Sequence, residues 1–299
     1  MKAYKDNRGD VRLFRPMMNM ERILKSSNRL AMPSFDPKEA VECIKQYVNV
    51  DRNWIPNERG YTLYIRPTMI GAQEWLGVGP SNRVIFFVIS CPVGPYYRPT
   101  GFAPVSLYAE EKMVRAWPGG TGCYKIGGNY APGILPQTAL AKKGFQQILW
   151  LFGPENEITE VGTMNLFVLW KRPKDGALEL ITPPLADGTI LPGVTRDCIL
   201  QLTKQWKEFE VTEGKVTMQQ LIEAQKQGRL VEMFGSGTAA VISPIRNIHF
   251  KNVDYAIPLD KDDSSAQAGP LARRLWKTLT DIQYGDVEHE WSVIVPSKP

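Results

Sequence analysis

The first half of the chain alternates between short runs of period two and longer stretches of helical spacing. Residues 11–14, Val-Arg-Leu-Phe, read as a short strand, after which Met20, Ile23 and Leu24 fall on one face of a helix. Arg22 lies off that stripe, where a solvated arginine is the commoner arrangement. Asp36-Pro37-Lys38-Glu39 is a compact helix start, with Asp36 as N-cap, proline at the first position and Glu39 three residues after the cap. The helix it opens buries Val41, Ile44 and Val48. In 62–66 the period of two sets Tyr64 and Arg66 on one side of a strand and Leu63 and Ile65 on the other. A tyrosine and an arginine facing together suit a carboxylate. The unbroken apolar run 84–89 predicts a buried strand, and the Pro- and Gly-rich stretch 92–101 predicts a break between domains.

The second half is richer in strands. A helix over 137–143 is ended by Gly144, and strands follow at 147–151, 158–161 and 165–170. The last of these turns through Lys174-Asp175-Gly176 into a partner at 178–181. Residues 190–196 open a helix that continues through Ile199, Leu200 and Leu202, and the amides at such a start form an anion site. Thr217 with Gln220 makes a capping box, and Gly228 closes that helix. After a strand at 230–234, Gly235-Ser236-Gly237-Thr238-Ala239 reads as a turn whose amides suit a carboxylate. The final helix, 271–282, is amphipathic. Helices interspersed among mixed strands indicate an α+β fold.

Composition narrows the function classes. At 299 residues, 43% hydrophobic and 22% charged, the chain has material for two domains and a large core. A net charge of +5 without a Lys/Arg run gives little support to nucleic-acid or membrane binding and suits small anionic ligands. No run reaches the ~18 apolar residues that span a bilayer. The beginning of the chain shows neither a secretory nor a mitochondrial leader pattern, which makes the cytoplasm the expected compartment, or the mitochondrion if a targeting segment precedes residue 1. Cys43, Cys91, Cys123 and Cys198 form no metal-finger spacing and read as reduced thiols. His249 and His289 are too few and too far apart in sequence for a zinc site or a Ser-His relay.

The stretch with most chemical content is 115–130. Lys125 sits between two glycine-rich turns, and glycines at that density permit close backbone approach. A lysine among Gly, Tyr and Cys can have the lowered pKa that a Schiff-base nucleophile needs. A solvated lysine on a surface loop is the alternative. A nucleotide-phosphate loop is excluded, because Ile126 rather than Ser or Thr follows the lysine.

Gly122-Cys123-Tyr124-Lys125-Ile126-Gly127-Gly128-Asn129-Tyr130, Thr159-Glu160-Val161-Gly162-Thr163-Met164-Asn165, residues 190–195 and Gly235-Ser236-Gly237-Thr238 closely resemble eukaryotic branched-chain amino acid aminotransferases. The order and nearly the spacing agree over essentially the whole chain. The resemblance implies a fold-type-IV pyridoxal-phosphate enzyme, usually a homodimer, with a small α/β domain and a larger domain on a β pseudo-barrel. The expected division is 1–91 for the small domain, 92–104 for a linker and 105–299 for the cofactor-binding domain.

By the same match Lys125 is the Schiff-base lysine, Glu160 pairs with the pyridine nitrogen and Tyr130 bonds the phenolic oxygen. Arg22 and the backbone of Val194 and Thr195 take the phosphate, with Arg115 close by. Tyr64, Thr238 and Ala239 match positions that handle the substrate carboxylate, and Thr163, Tyr96, Leu76 and Val78 match the side-chain pocket. Arg66, on the face of Tyr64, is a candidate for the second carboxylate of glutamate, with bracing of the small domain as the alternative. The implied reaction moves an amino group between Leu, Ile or Val and 2-oxoglutarate. A fold relative acting on D-alanine or an aminochorismate-type substrate is the rival, disfavoured by the apolar Leu76, Val78 and Tyr96. Ala240 and Ser243 stand where mammalian relatives carry a Cys-x-x-Cys pair, so thiol regulation by that route is not expected. Met1 aligns with an interior methionine of the family, which predicts that small-domain strands are missing. A silent isoform serving as a dimerisation partner is the reading from another class.

Overall fold

The computed structural model describes residues 1–96 and 102–297. In chain order the elements begin β1 (Lys2–Lys5), β2 (Val11–Phe14), α1 (Pro16–Arg29), α2 (Pro37–Val50), β3 (Thr62–Gly71) and β4 (Val84–Val93). They continue β5 (Val105–Glu110), α3 (Ile134–Ala141), β6 (Gln147–Phe152), β7 (Glu157–Val161), β8 (Met164–Lys171) and β9 (Leu178–Thr182). Then come α4 (Val194–Trp206), β10 (Glu210–Glu213), α5 (Met218–Lys226), β11 (Leu230–Gly237), β12 (Val241–Phe250), β13 (Val253–Ala256), α6 (Pro270–Gln283) and β14 (Ser292–Val295). The chain falls into two compact units, Met1–Tyr96 with the segment from Thr278 onward, and a second that reaches to Lys277, so the boundary lies inside α6.

The first unit is a five-stranded sheet in the order β14-β2-β1-β3-β4. Its core lies between one face of the sheet and the helices α1 and α2: Ala3, Val11, Leu13, Leu63, Ile65 and Val295 cluster with Met20, Val41, Ile44 and Val48. The Asp36 side chain accepts from the Lys38 amide, which fixes the start of α2 as its sequence predicted. Two expectations are corrected here. The last strand, β14, pairs antiparallel with β2, so the end of the chain packs with the first unit and not with the larger domain to which 105–299 was assigned. That pairing satisfies the outer edge of β2 and sets Val295 in the first core. The run 84–89 forms the edge strand β4, and Ile85, Phe87 and Ile89 are exposed, because α1 and α2 cover the opposite face. Of the expected linker 92–104, Pro92 and Val93 complete β4, while 97–101 lie outside the described residues.

The second unit is built on a closed ring of six strands, β8-β11-β12-β5-β6-β7, with β7 returning to β8. β12, β5 and β6 run parallel to one another and the other pairings of the ring are antiparallel. Alternate residues point inward, so Leu107, Leu149, Val161, Leu166, Met233, Ile245 and Ile248 fill one interior cluster. β9 and β10 extend the sheet beyond β8. On the outer surface Phe167 and Phe234 stack with centroids 5.4 Å apart, and Ile148 and Trp150 pack against Leu140 of α3. The α+β class read from the residues and the barrel implied by the resemblance are the architecture observed.

Candidate active site

β7 and β8 form a hairpin whose turn is Gly162 and Thr163, with Gly162 at φ +56°. Val161 pairs with Met164, both facing the barrel interior, so the next pair, Glu160 with Asn165, faces outward. On the far side of β8, Asn165 pairs with Ser236 of β11. Cross-strand partners share a face, so Glu160, Asn165 and Ser236 make a polar row on the outer wall of the barrel. All three are buried.

Glu160 is 1% exposed and held from several sides. Its Oε2 lies 2.6 Å from Arg115 Nε, and its Oε1 accepts from the Leu191 amide at 2.8 Å and from Asn165 Nδ2 at 3.1 Å. Asn165 Nδ2 also donates to Leu191 O at 2.8 Å, pinning the segment that leads into α4. Burial pushes the Glu160 carboxyl up to about 7, against the opposing pull of the Arg115 guanidinium, the Leu191 amide, Lys125 and Arg196. A carboxylate accepts about four hydrogen bonds, so these three contacts leave room for one more donor.

Lys125 stands at the centre of the glycine-flanked loop, exposed, with Nζ 2.8 Å from the Tyr130 hydroxyl and 4.7 Å from the Tyr130 ring centroid. Asn129 holds this loop in shape: its Nδ2 donates to Thr121 O and Tyr124 O, each at 2.7 Å, and its Oδ1 accepts from Thr121 Oγ1 at 2.9 Å. The close approach expected of the glycines is found at Gly122, where an added Cβ would lie 2.8 Å from Gly188 O and 2.9 Å from Thr189 O. Gly127 and Gly128 face open space.

α4 begins at Val194 after Gly193, and the amides of its first turn lack partners within the helix. A Cβ at Gly193 would collide with Asn165 Oδ1, which sets this helix start beside the polar row. Ser236 Oγ is buried without a hydrogen-bond partner among the described residues. A spare acceptor on Glu160, a helix start, an unpartnered hydroxyl and an exposed lysine fit a ligand with a ring N–H, an anionic group and a carbonyl.

The remaining expected residues are distributed as follows. Thr163 is exposed in the β7–β8 turn, and Thr238 and Ala239 follow β11. Gly235, Ser236 and Gly237 belong to β11 and pair with β12, so the predicted turn begins only at Thr238. Arg115, expected at the phosphate, has its fork on Glu160, Thr189 O and Gly122 O, since a buried carboxylate demands a counter-charge. In the first unit Arg22 donates to Asn19 Oδ1 at 3.4 Å, and the Arg66 guanidinium lies 5.5 Å from the Tyr64 ring centroid. Leu76 and Val78 are 106% and 110% exposed, and Tyr96 is exposed, so within their unit these three line no enclosed pocket. The anchoring roles of Asn165 and Asn129 were missed: both lie inside the quoted motifs, where an asparagine between turns is the available signal.

The sequence profile of the family Amino-transferase class IV matches residues 1–248, which include the barrel strands β5 to β8 and β11, the lysine loop and the buried carboxylate. Among curated relatives, the branched-chain-amino-acid aminotransferase of Dictyostelium discoideum is 54% identical over 295 residues, 99% of this chain and 76% of its own length. The mitochondrial enzyme of Schizosaccharomyces pombe is 51% identical, over 98% of this chain and 68% of its own length. The cytosolic enzyme of Saccharomyces cerevisiae is 49% identical, over 99% and 78%. The chain belongs to the branched-chain aminotransferases of class IV. The solved branched-chain amino acid aminotransferase of Escherichia coli superposes with a TM-score of 0.79 at 25% identity, over 99% of this chain and 88% of that one. A second solved branched-chain amino acid aminotransferase, complexed with N-(5'-phosphopyridoxyl)-L-glutamate, gives 0.75 at 25% identity, over 99% and 87%. Among the described residues no helix is long and apolar enough to cross a membrane, and no cluster of metal-ligating side chains occurs.

Proposed function

We propose that this chain transfers the amino group of leucine, isoleucine or valine to 2-oxoglutarate with pyridoxal 5'-phosphate as cofactor. The observation that carries the reading is the pairing of Lys125 Nζ with the Tyr130 hydroxyl at 2.8 Å in the unit that also holds the buried Glu160. When bound, the cofactor supplies a carbonyl that takes up the amino group and a ring that accepts the electron pair released with the α-proton.

Lys125 Nζ would hold the cofactor and, as a free amine, would carry the α-proton between the two carbons. The Tyr130 hydroxyl would orient that nitrogen and donate to the ring oxygen. Glu160, when ionised, would favour a proton on the ring nitrogen. Val194 and Thr195 at the start of α4 hold the phosphate, and Thr238 and Ala239 meet the substrate carboxylate. Arg22, Tyr96, Leu76, Val78 and Thr163 keep the roles that the resemblance implies.

The two substrates differ in polarity, and one face of the β3–β4 pair suits both. Tyr64 pairs with Cys91, Arg66 with Ile89 and Thr68 with Phe87, so the Tyr64–Arg66 pair shares its face with exposed apolar side chains. A guanidinium and a phenol beside Ile89 and Phe87 offer a carboxylate partner at the margin of an apolar surface. The same apolar row supports a homodimer as the working unit.

The test is an amino-donor panel on the purified protein loaded with cofactor. The expected result is turnover of leucine, isoleucine and valine with 2-oxoglutarate, abolished by Lys125→Ala. Preference for D-alanine, or no turnover of any donor, would contradict it.

A further inference from the structure

Arg115 is the one arginine in the 115–130 stretch, and the structure spends its whole fork on the site's internal framework. Its side chain is 4% exposed. Nε meets Glu160 Oε2 at 2.6 Å, Nη1 donates to Thr189 O at 2.7 Å, and Nη1 and Nη2 share Gly122 O at 3.3 Å. These acceptors come from three places: Glu160 from β7, Gly122 from the start of the lysine loop, and Thr189 from the segment that Leu191 carries towards α4. The planar, forked guanidinium can bind all three at once, which a lysine ammonium cannot do in the same geometry.

We propose that Arg115 is the positioning residue of this site, favouring the ionised form of Glu160 and clamping the lysine loop and the approach to α4 around it. The proposal rests on the reading of Glu160 as the partner of the ring nitrogen. A carboxyl buried to this degree is neutral unless a counter-charge accompanies it, and a neutral carboxyl cannot favour a protonated ring. The charged groups facing Glu160 are Arg115 from the segment after β5, Lys125 from its loop and Arg196 from α4. Arg196 has its own partners in Glu213 at 2.7 Å and Pro183 O at 2.9 Å. Lys125 must give up its charge to react. Arg115 is therefore the cation in direct contact with Glu160 that keeps its charge throughout the reaction.

Arg115→Met removes the charge and keeps much of the length, while Arg115→Lys keeps the charge and loses the fork. Two readouts apply. In the cofactor-free protein the Glu160 carboxyl is titrated by isotope-edited infrared spectroscopy, with the band assigned by its loss in Glu160→Gln. In the loaded enzyme kcat and KM for leucine are followed against pH. Arg115→Met is expected to move the Glu160 midpoint upward by about one pH unit or more. It should lower kcat at neutral pH by at least about tenfold, with the loss shrinking as pH rises and KM changing less than about twofold. Arg115→Lys should return the midpoint most of the way. In a Glu160→Gln background the second change should cost less than about threefold in kcat, as residues acting through one another do. A Glu160 midpoint and kcat profile unchanged in either variant, or a full additional loss in the Glu160→Gln background, would overturn the proposal. The infrared midpoint does not depend on transamination, so a shifted midpoint in a protein that turns over no amino donor would sink the proposed reaction and leave the Arg115–Glu160 assignment standing.

Discussion

Replacing Glu160 by glutamine keeps the shape of the side chain and removes its charge, and the structure shows why the amide has no good orientation. With its oxygen where Oε1 stands, it still accepts from the Leu191 amide and Asn165 Nδ2, but its NH2 then faces Arg115 Nε across the 2.6 Å now spanned by an ion pair. Turned over, it satisfies Arg115 and opposes its NH2 to the Leu191 amide. Either way a buried donor is left facing a donor, and Arg115 loses its counter-charge. Breaking a buried pair in this manner typically costs ~3–5 kcal/mol of stability. The catalytic loss is a separate quantity. In the proposed role Glu160 would act on the ring most strongly as negative charge develops beside it, and removing one preorganised electrostatic contact of that kind typically costs ~10²–10³ in kcat. The assay is kcat for leucine at saturating cofactor, with thermal unfolding of the cofactor-free protein measured alongside. A Glu160→Gln enzyme whose kcat stays within about threefold of wild type, with only cofactor affinity reduced, would refute the role assigned to this carboxylate.

Arg66→Met should weaken the use of glutamate and 2-oxoglutarate by about tenfold to a hundredfold, the loss of one charge-assisted contact at ~1.5–3 kcal/mol. Leucine turnover should be comparatively intact in kcat/KM, and equal losses for both substrates would favour bracing of the β3–β4 pair over recognition. Glu232 is another buried carboxyl, 2% exposed, accepting from the Leu271 and Ala272 amides at 2.9 and 3.0 Å at the start of α6. Burial raises it to about 7 from an ordinary 4.5, so the stabilisation it contributes is full below pH ~4.5 and is lost as pH rises towards 7. Glu232→Gln should therefore flatten the decline in melting temperature across that window, and an unchanged slope would show that Glu232 does not titrate there.

The sequence disclosed local order wherever one interaction decides it. The capping box of Thr217 and Gln220, the proline start of α2 and the hairpin from β8 to β9 all form as their residues predict, because each depends on neighbours within a few positions. What escaped it depends on distant partners. Period two places Glu160 on a strand, but only the register of β7, β8 and β11 sets it beside Asn165 and Ser236. The apolar run of β4 does not say that one of its faces stays open, since that is decided by where α1 and α2 pack. Nor does the spacing of Arg115 reveal its partner Glu160, which lies on a strand well beyond the lysine loop. The glycine pattern found the lysine loop, yet Gly122 is close to the backbone of 188–189, a segment remote in sequence.

The proposed attachment of the cofactor to Lys125 is tested most directly by trapping it. The protein is incubated with pyridoxal 5'-phosphate, reduced with borohydride, digested and mapped for the pyridoxyl label. One labelled peptide is expected, carrying the label on Lys125, and none at that position in Lys125→Ala. A label on another lysine, with Lys125 unmodified, would contradict it.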